Sequence, residues 1–242
     1  MRIGIIGDIH GNIDALTAVL LALDRLNVSS ILCTGDIVGY GACPKECIDL
    51  IRELAIPSVK GNHDTYTTEK DGHWIIRPEA REVILWNQKH LPADHIEWLR
   101  KLPRRLEFDG IAVVHASNVW HPEWPYVINE RTAVHNFLFQ RNQVCFNGHT
   151  HVPVCVLHQP GRRVELDRLR NMFLPRRSRV LIGVGAVGQP RDEDPRAAAV
   201  VYNTQDRSVR LLRVPYDVEA AQSRIIKAGL PRKLADRLAI GQ

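Results

Sequence analysis

Gly7-Asp8-Ile9-His10-Gly11-Asn12 decides how the rest of the chain is read. Before it, Met1 to Ile6 is a short apolar run of the kind that forms a buried β-strand. Asp8 and His10 are two residues apart, and in extended backbone residues i and i+2 point the same way. A carboxylate and an imidazole are therefore expected to leave the strand's C-terminal end on one side, as two arms of a metal site. Gly7 and Gly11 free the backbone to turn tightly, and Asn12 supplies an N-cap for a helix starting near Ile13. Alone, the hexapeptide reads equally well as a solvated loop.

Working outward, Ile13, Leu16, Val19, Leu20, Leu23 and Leu26 have helical spacing with one broad apolar face. Ser29 to Thr34 reads as a second strand, followed by the glycine-rich Gly35-Asp36-Ile37-Val38-Gly39-Tyr40-Gly41. Pro44 opens a helix that runs to Leu54, and Pro57 to Lys60 reads as a third strand ending in Gly61-Asn62-His63-Asp64. Strand, loop and helix alternate, and in an open α/β sheet function collects at the carboxyl ends of the strands. Thr65 to Pro78 reads as irregular and carries His73 and Trp74. Glu79–Leu91 and Ala93–Leu102 read as helices, so residues 65–105 are expected to form a helical cap beside the site. Asp109-Gly110 is a hairpin turn between Leu106–Phe108 and Ile111–Val114, the second strand ending at His115. Ser117 to Asn129 reads as a substrate-facing loop and Arg131 to Gln140 as a helix. Val144–Phe146 is a strand that runs into Asn147-Gly148-His149-Thr150-His151. Strands follow at Val154–Leu157, Arg163–Leu166, Val180–Val184, Ala197–Tyr202 and Val209–Leu212, with Asp167–Arg179 as an interrupting basic loop. Asp217–Ala228 and Pro231–Ile240 close the chain as helices.

The 242 residues suit one domain over 1–242, with 45% hydrophobic and 24% charged residues. The formal net charge of +5 fits an anionic substrate. It does not require nucleic acid, because the basic residues are scattered. Arg104-Arg105, Arg162-Arg163 and Arg176-Arg177 read as solvated surface. The five cysteines are odd in number and share no spacing pattern, which argues for free thiols. No apolar run approaches ~20 residues and the N-terminus has no signal-peptide core, so no membrane span is expected and a cytoplasmic location is.

Taken in order, Gly7-Asp8-Ile9-His10, Gly35-Asp36, Gly61-Asn62-His63-Asp64, Val114-His115 and Gly148-His149-Thr150-His151 resemble the signature of the calcineurin-like metallophosphoesterase superfamily. Gly185-Ala186-Val187-Gly188-Gln189-Pro190-Arg191-Asp192 is similar to the Gly-Ser-Val-Gly-Gln-Pro-Arg stretch of its small prokaryotic phosphodiesterase-like members, with Ala186 where Ser is usual. The resemblance implies a four-layer α/β/β/α sandwich of two mixed sheets flanked by helices. It also implies two divalent transition-metal ions: manganese first, with iron, zinc, nickel and cobalt as options. By the same resemblance Asp8, His10 and His151 would hold one ion, Asn62, His115 and His149 the other, and Asp36 would bridge them. His63 would assist the leaving group, and Asp64 would orient His63 and raise its pKa.

Two ions roughly 3.5–4 Å apart are a standard device for in-line phosphoryl displacement by a bridging hydroxide. The activity so implied is hydrolysis of a phosphodiester or another small phosphorylated molecule. A phosphomonoesterase, a protein or dinucleoside polyphosphate phosphatase, and a catalytically silent metal-binding scaffold are the rivals. Related protein phosphatases and dinucleoside tetraphosphatases carry extra arginines in set places after the Asn-His motif, whereas here the first after Asp64 is Arg77. Related small phosphoesterases form dimers or tetramers, so a homo-oligomer is compatible. Arg191 reads as a surface ion-pair partner ahead of a phosphate contact. Tyr40, Trp120 and Trp124 read as packing, and His73, His121 and His135 as structural.

Overall fold

The computed structural model describes residues 1–69, 76–119 and 123–242. Trp120 and His121, like His73 and Trp74, lie outside the described residues. The N-terminal run forms β1 (Arg2–Ile6), which leads through the hexapeptide into α1 (Ile13–Arg25). Asn12 caps α1 as expected, its Oδ1 accepting from Ala15 N at 3.1 Å, a contact on the scale of ~1 kcal/mol. Next come β2 (Ser30–Cys33), α2 (Pro44–Glu53) and the short α3 (Asn62–Thr68). Two more helices, α4 (Pro78–His90) and α5 (Ala93–Lys101), precede the hairpin β3 (Arg105–Phe108) and β4 (Ile111–Val114). Asp109 and Gly110 both take positive φ in the turn, as the Asp-Gly pair requires.

The second half runs α6 (Glu130–Phe139), β5 (Val144–Asn147), β6 (Pro153–His158), β7 (Glu165–Arg168), β8 (Met172–Phe173), β9 (Arg179–Val184), β10 (Ala197–Asn203) and β11 (Ser208–Val214). Helices α7 (Val218–Lys227) and α8 (Arg232–Asp236) follow, and a 3-10 turn over Arg237–Ala239 stands where one longer helix was expected. Both sheets are mixed. One is ordered β2-β1-β10-β11-β8, with β1 parallel to β2 and antiparallel to β10; the other is β3-β4-β5-β9-β6-β7, with β4, β5 and β9 parallel.

Period-two alternation builds the layers. Ile3 and Ile5 of β1, Val200 and Tyr202 of β10, Val113 of β4, Phe146 of β5 and Ile182 of β9 meet in one core between the sheets. The opposite face of the first sheet packs Ile6, Ala199 and Val201 against Leu16, Val19 and Leu23 of α1 and Ile48 and Ile51 of α2. The opposite face of the second packs Ala112, Cys145 and Leu181 against Ala133 and Phe137 of α6. The result is the expected four-layer α/β/β/α sandwich. All five cysteines are buried free thiols.

Three local expectations are corrected. Pro57–Lys60 is no strand: only a single bridge joins Ser58 to Cys33, because Cys33 is the last residue of β2 and the ladder has nothing further to pair with. The irregular stretch expected from Thr65 begins inside α3. The basic loop over Asp167–Arg179 contains β8, whose two residues pair with Ser208 and Val209 at the sheet edge and are too few to show a period. Among the described residues no helix is long and apolar enough to cross a membrane.

Candidate metal centre

The site lies where β1, β2, β4 and β5 end. Its backbone is not extended there. Asp8, His10, Asp36, His149 and His151 all sit at positive φ, between 48° and 67°. That conformation costs a non-glycine residue roughly 1–2 kcal/mol, and such strain is concentrated at functional sites. Asp8 and His10 therefore share the site through two left-handed turns, not through the pleat of a strand, and the same holds for His149 and His151. The loop is held in register: Asp8 N donates to Gly35 O and His10 N to Asp36 O, each at 2.9 Å.

Asp8, His10, Asp36, Asn62, His115, His149 and His151 are all buried. Among the described residues, ligand atoms of Asp8, His10 and His151 lie within 4.8 Å of one another, as do those of Asp36, His115 and His149. His10, Asp36 and His63 form a third such group, so Asp36 belongs to two. Asn62 joins the second group through its Oδ1, 3.0 Å from His115 Nε2.

The rings have committed one nitrogen each. His10 Nδ1 faces Val38 O at 3.1 Å, His115 Nδ1 faces Thr34 O at 2.8 Å, and His151 Nδ1 faces Gln189 O at 2.6 Å. A carbonyl only accepts, so these nitrogens carry the hydrogen, and in the neutral ring Nε2 is the ligand atom. His149 is reversed: its Nε2 faces Trp124 O at 2.9 Å, which frees Nδ1. Burial pushes His10 and His151 well below the usual imidazole pKa, so both are neutral. Burial, with His115 nearby, pushes His149 down to about 3. His115 is the exception. Burial opposes its charge, yet Asp36 raises it to about 9. Burial likewise pushes Asp8 up to about 7, while Asp36 is held far below the carboxylate range, the pull of His115 and His63 outweighing its burial. Neutral imidazoles and buried carboxylates with convergent lone pairs are a donor set that divalent transition metals fit.

Asp64 is placed differently from expectation. Its carboxylate accepts from the backbone N–H of Asp36 and Gly61, both at 2.9 Å, and of Ile37 and Val38 at 2.9 and 3.2 Å. It holds the Asp36 loop against the start of α3 instead of orienting the His63 ring. Among the described residues the buried Nδ1 of His63 has no hydrogen-bond partner. Burial lowers the pKa of His63 to about 4, opposite to the rise expected from Asp64. Glycines make the close approaches possible: a Cβ on Gly61 would stand 2.0 Å from Asp36 Oδ1, and one on Gly148 2.2 Å from Asp8 Oδ2.

A cleft of about 310 Å³ opens over this centre, lined by Asp36, Asn62, His63, His149 and His151. Sequence reasoning missed Tyr126, which stacks on His149 at 4.1 Å, as well as Arg77 and Arg237, which also line the cleft. No motif marks them. Arg191 lines the cleft and makes no ion pair among the described residues, against the surface pairing expected. Tyr40 lies 4.6 Å from the His10 ring and 4.5 Å from that of His63. Trp124 packs edge-on to His115, and His135 packs against Phe139 away from the centre. Ala186 is buried, and its backbone O accepts from Ala198 N.

The fold is that of a metallophosphoesterase, and the buried groups of His and Asp at its strand ends are candidate metal ligands. The profile of the calcineurin-like phosphoesterase superfamily domain matches residues 1–207, and the chain belongs to that superfamily, whose members hydrolyse phosphoesters. A metallophosphoesterase from Sphaerobacter thermophilus superposes with a TM-score of 0.86 at 39% identity, covering 100% of this chain and 99% of that one. The uncharacterised protein MJ0912 of Methanocaldococcus jannaschii is 34% identical over 99% of this chain and 98% of its own length. A symmetrical bis(5'-nucleosyl)-tetraphosphatase of Yersinia enterocolitica is 30% identical over 50% of this chain and 42% of its own length.

Proposed function

We propose that the chain is a dinuclear-metal-dependent phosphodiesterase acting on a small phosphorylated molecule. What carries this reading is the convergence of buried ligand groups on Asp36, at the floor of a cleft whose walls hold His63, Arg77, Arg191 and Arg237. Asp8, His10 and His151 would hold one ion, Asn62, His115 and His149 the other, with Asp36 between them. The chemistry that two bound divalent ions supply in such a site is a nucleophile at neutral pH and neutralisation of the phosphoryl oxygens.

The chain's own residues do the rest. The backbone carbonyls of Val38, Thr34 and Gln189 lock the imidazole tautomers and aim Nε2 inward. Asp64 fixes the Asp36 loop through four backbone N–H groups. His63, neutral and lining the cleft, donates a hydrogen bond to the leaving-group oxygen as charge develops there. The start of α4 supplies the cap wall through Ile76 and Ala80.

The scaffold reading is disfavoured because every matched ligand and His63 converge. The test is hydrolysis of bis(p-nitrophenyl) phosphate and of p-nitrophenyl phosphate by metal-stripped protein, with Mn, Ni, Co, Zn or Mg restored singly. Metal-dependent diester cleavage that disappears in Asp36→Asn is expected. Preference for the monoester would move the assignment to a phosphatase, and no turnover despite bound metal would sink the enzyme reading.

A further inference from the structure

One wall of the cleft carries charge that cleavage of a lone phosphoryl group does not use. Arg77 precedes α4, Arg191 follows β9 and Arg237 begins the 3-10 turn, and all three line the cleft. Lys233 lines it too, but Glu79 Oε1 accepts from its Nζ at 2.8 Å, so that pair is neutral. Among the described residues no side-chain carboxylate pairs with any of the three arginines. Arg191 Nη2 donates to Gln189 Oε1 at 2.9 Å, and Arg237 Nε to the backbone oxygen of Gln242 at 2.6 Å.

Arg191 and Arg77 both stand near enough to Arg237 to act on its charge. Burial, then repulsion by Arg191 and Arg77, holds Arg237 below the ordinary arginine range. Arg191 reaches in the other direction as well: its guanidinium lies 5.5 Å from the centre of the Tyr40 ring, beside His10 and His63. Positive charge thus runs from the histidine-lined floor to the C-terminal wall. Like charges in a shared cleft repel, and a polyanion laid along them lowers that cost. The planar guanidinium fork matches phosphate oxygens in pairs. Arg237 lies after residue 207, where the superfamily match ends, so the C-terminal segment adds this wall to the shared centre.

We propose that Arg77, Arg191 and Arg237 form a second anion subsite, which holds a further phosphoryl group of the substrate beside the one cleaved over Asp36. The substrates preferred are then small molecules with a phosphate chain or two nearby phosphates. The inference rests on the phosphoesterase reading for the group cleaved, while binding at the subsite is measurable without turnover.

The experiment is calorimetric titration of the metal-loaded full chain with a methylene-bridged triphosphate, which resists hydrolysis, and with methylphosphonate, which has one anionic group. Wild type is expected to favour the triphosphate analogue. In Arg237→Gln and in Arg77→Gln that preference falls roughly tenfold, the scale of one charge-assisted hydrogen bond, and Arg237→Lys retains more of it than Arg237→Gln. Arg77 is exposed at a helix start, so its variant folds even where a change at Arg237 disturbs the C-terminal turn. An unchanged preference in both Gln variants, or none in wild type, overturns the subsite. A preference lost in the variants of a protein that hydrolyses no phosphoester upholds the subsite and removes the phosphoesterase reading instead.

Discussion

His10 Nε2 and His151 Nε2 stand 3.0 Å apart, and each ring has already given its Nδ1 hydrogen to a backbone carbonyl. In neutral imidazoles this aims two lone pairs at each other, which is unfavourable unless a cation or a proton lies between them. Asp8 Oδ1, 3.3 Å from His151 Nε2, adds a third acceptor to the same space. His151→Ala is therefore expected to lose one of about two ions per chain and to lower activity by on the order of 10–100-fold or more. Metal analysis of the dialysed variant by mass spectrometry checks it, and full metal content would remove His151 from the ligand set.

Asp64 makes a separate prediction, because its carboxylate is spent on backbone. Asp64→Asn puts an amide NH₂ among four N–H donors, leaving at least one buried donor without an acceptor. The expected loss of stability is about 3 kcal/mol, the scale of breaking a buried, charge-assisted network. Urea denaturation of the metal-free variant measures it. Unchanged stability with altered kcat alone would restore the role of orienting His63.

The glycines beside the carboxylates predict a loss of metal without a change of ligand. A Cβ at Gly148 would meet Asp8 Oδ2 at 2.2 Å and Thr34 Oγ1 at 2.7 Å, both on packed, buried residues. Gly148→Ala is expected to displace Asp8, to cost roughly 1–3 kcal/mol as overpacking, and to weaken metal uptake with every ligand present. Metal titration followed by tryptophan fluorescence reads this out. Affinity equal to wild type would show that Asp8 has room to move, and that its position is not set by the glycine.

What the sequence made legible follows from range. The α1 and α2 faces and the Asp109-Gly110 turn are local patterns, and the structure places them within a residue or two. The ligand residues were legible because short motifs carry their chemistry. Their backbone was not: left-handed φ at Asp8, His10, Asp36, His149 and His151 is imposed by hydrogen bonds between loops far apart in sequence, such as Gly188 N to Asp8 O. The partners that fix the tautomers are main-chain carbonyls of Thr34, Val38 and Gln189, which no side-chain motif records. Arg77 and Arg237 come from a helix start and a closing turn, and only the tertiary fold brings them to one cleft.

His63 gives the sharpest separation between binding and chemistry. Its backbone N donates to Asp36 Oδ1 at 2.8 Å, its Nδ1 has no partner among the described residues, and its ring stands edge-on to His10 at 4.8 Å. It also falls within 4.8 Å of ligand atoms of His10 and Asp36, so ligation and leaving-group assistance are both geometrically open. The two roles differ in observables. A hydrogen-bond donor to the leaving group contributes on the order of 10²–10⁴-fold to kcat and nothing to metal affinity. It also matters less as the leaving group becomes more acidic. His63→Ala is therefore expected to keep both ions, to lower kcat within that range, and to lose least activity on the diester with the most acidic phenol. Measuring metal content alongside kcat across a series of substituted phenyl esters decides the matter. An emptied metal position would make His63 a ligand, and a uniform loss across the series would remove it from the leaving-group side of the reaction.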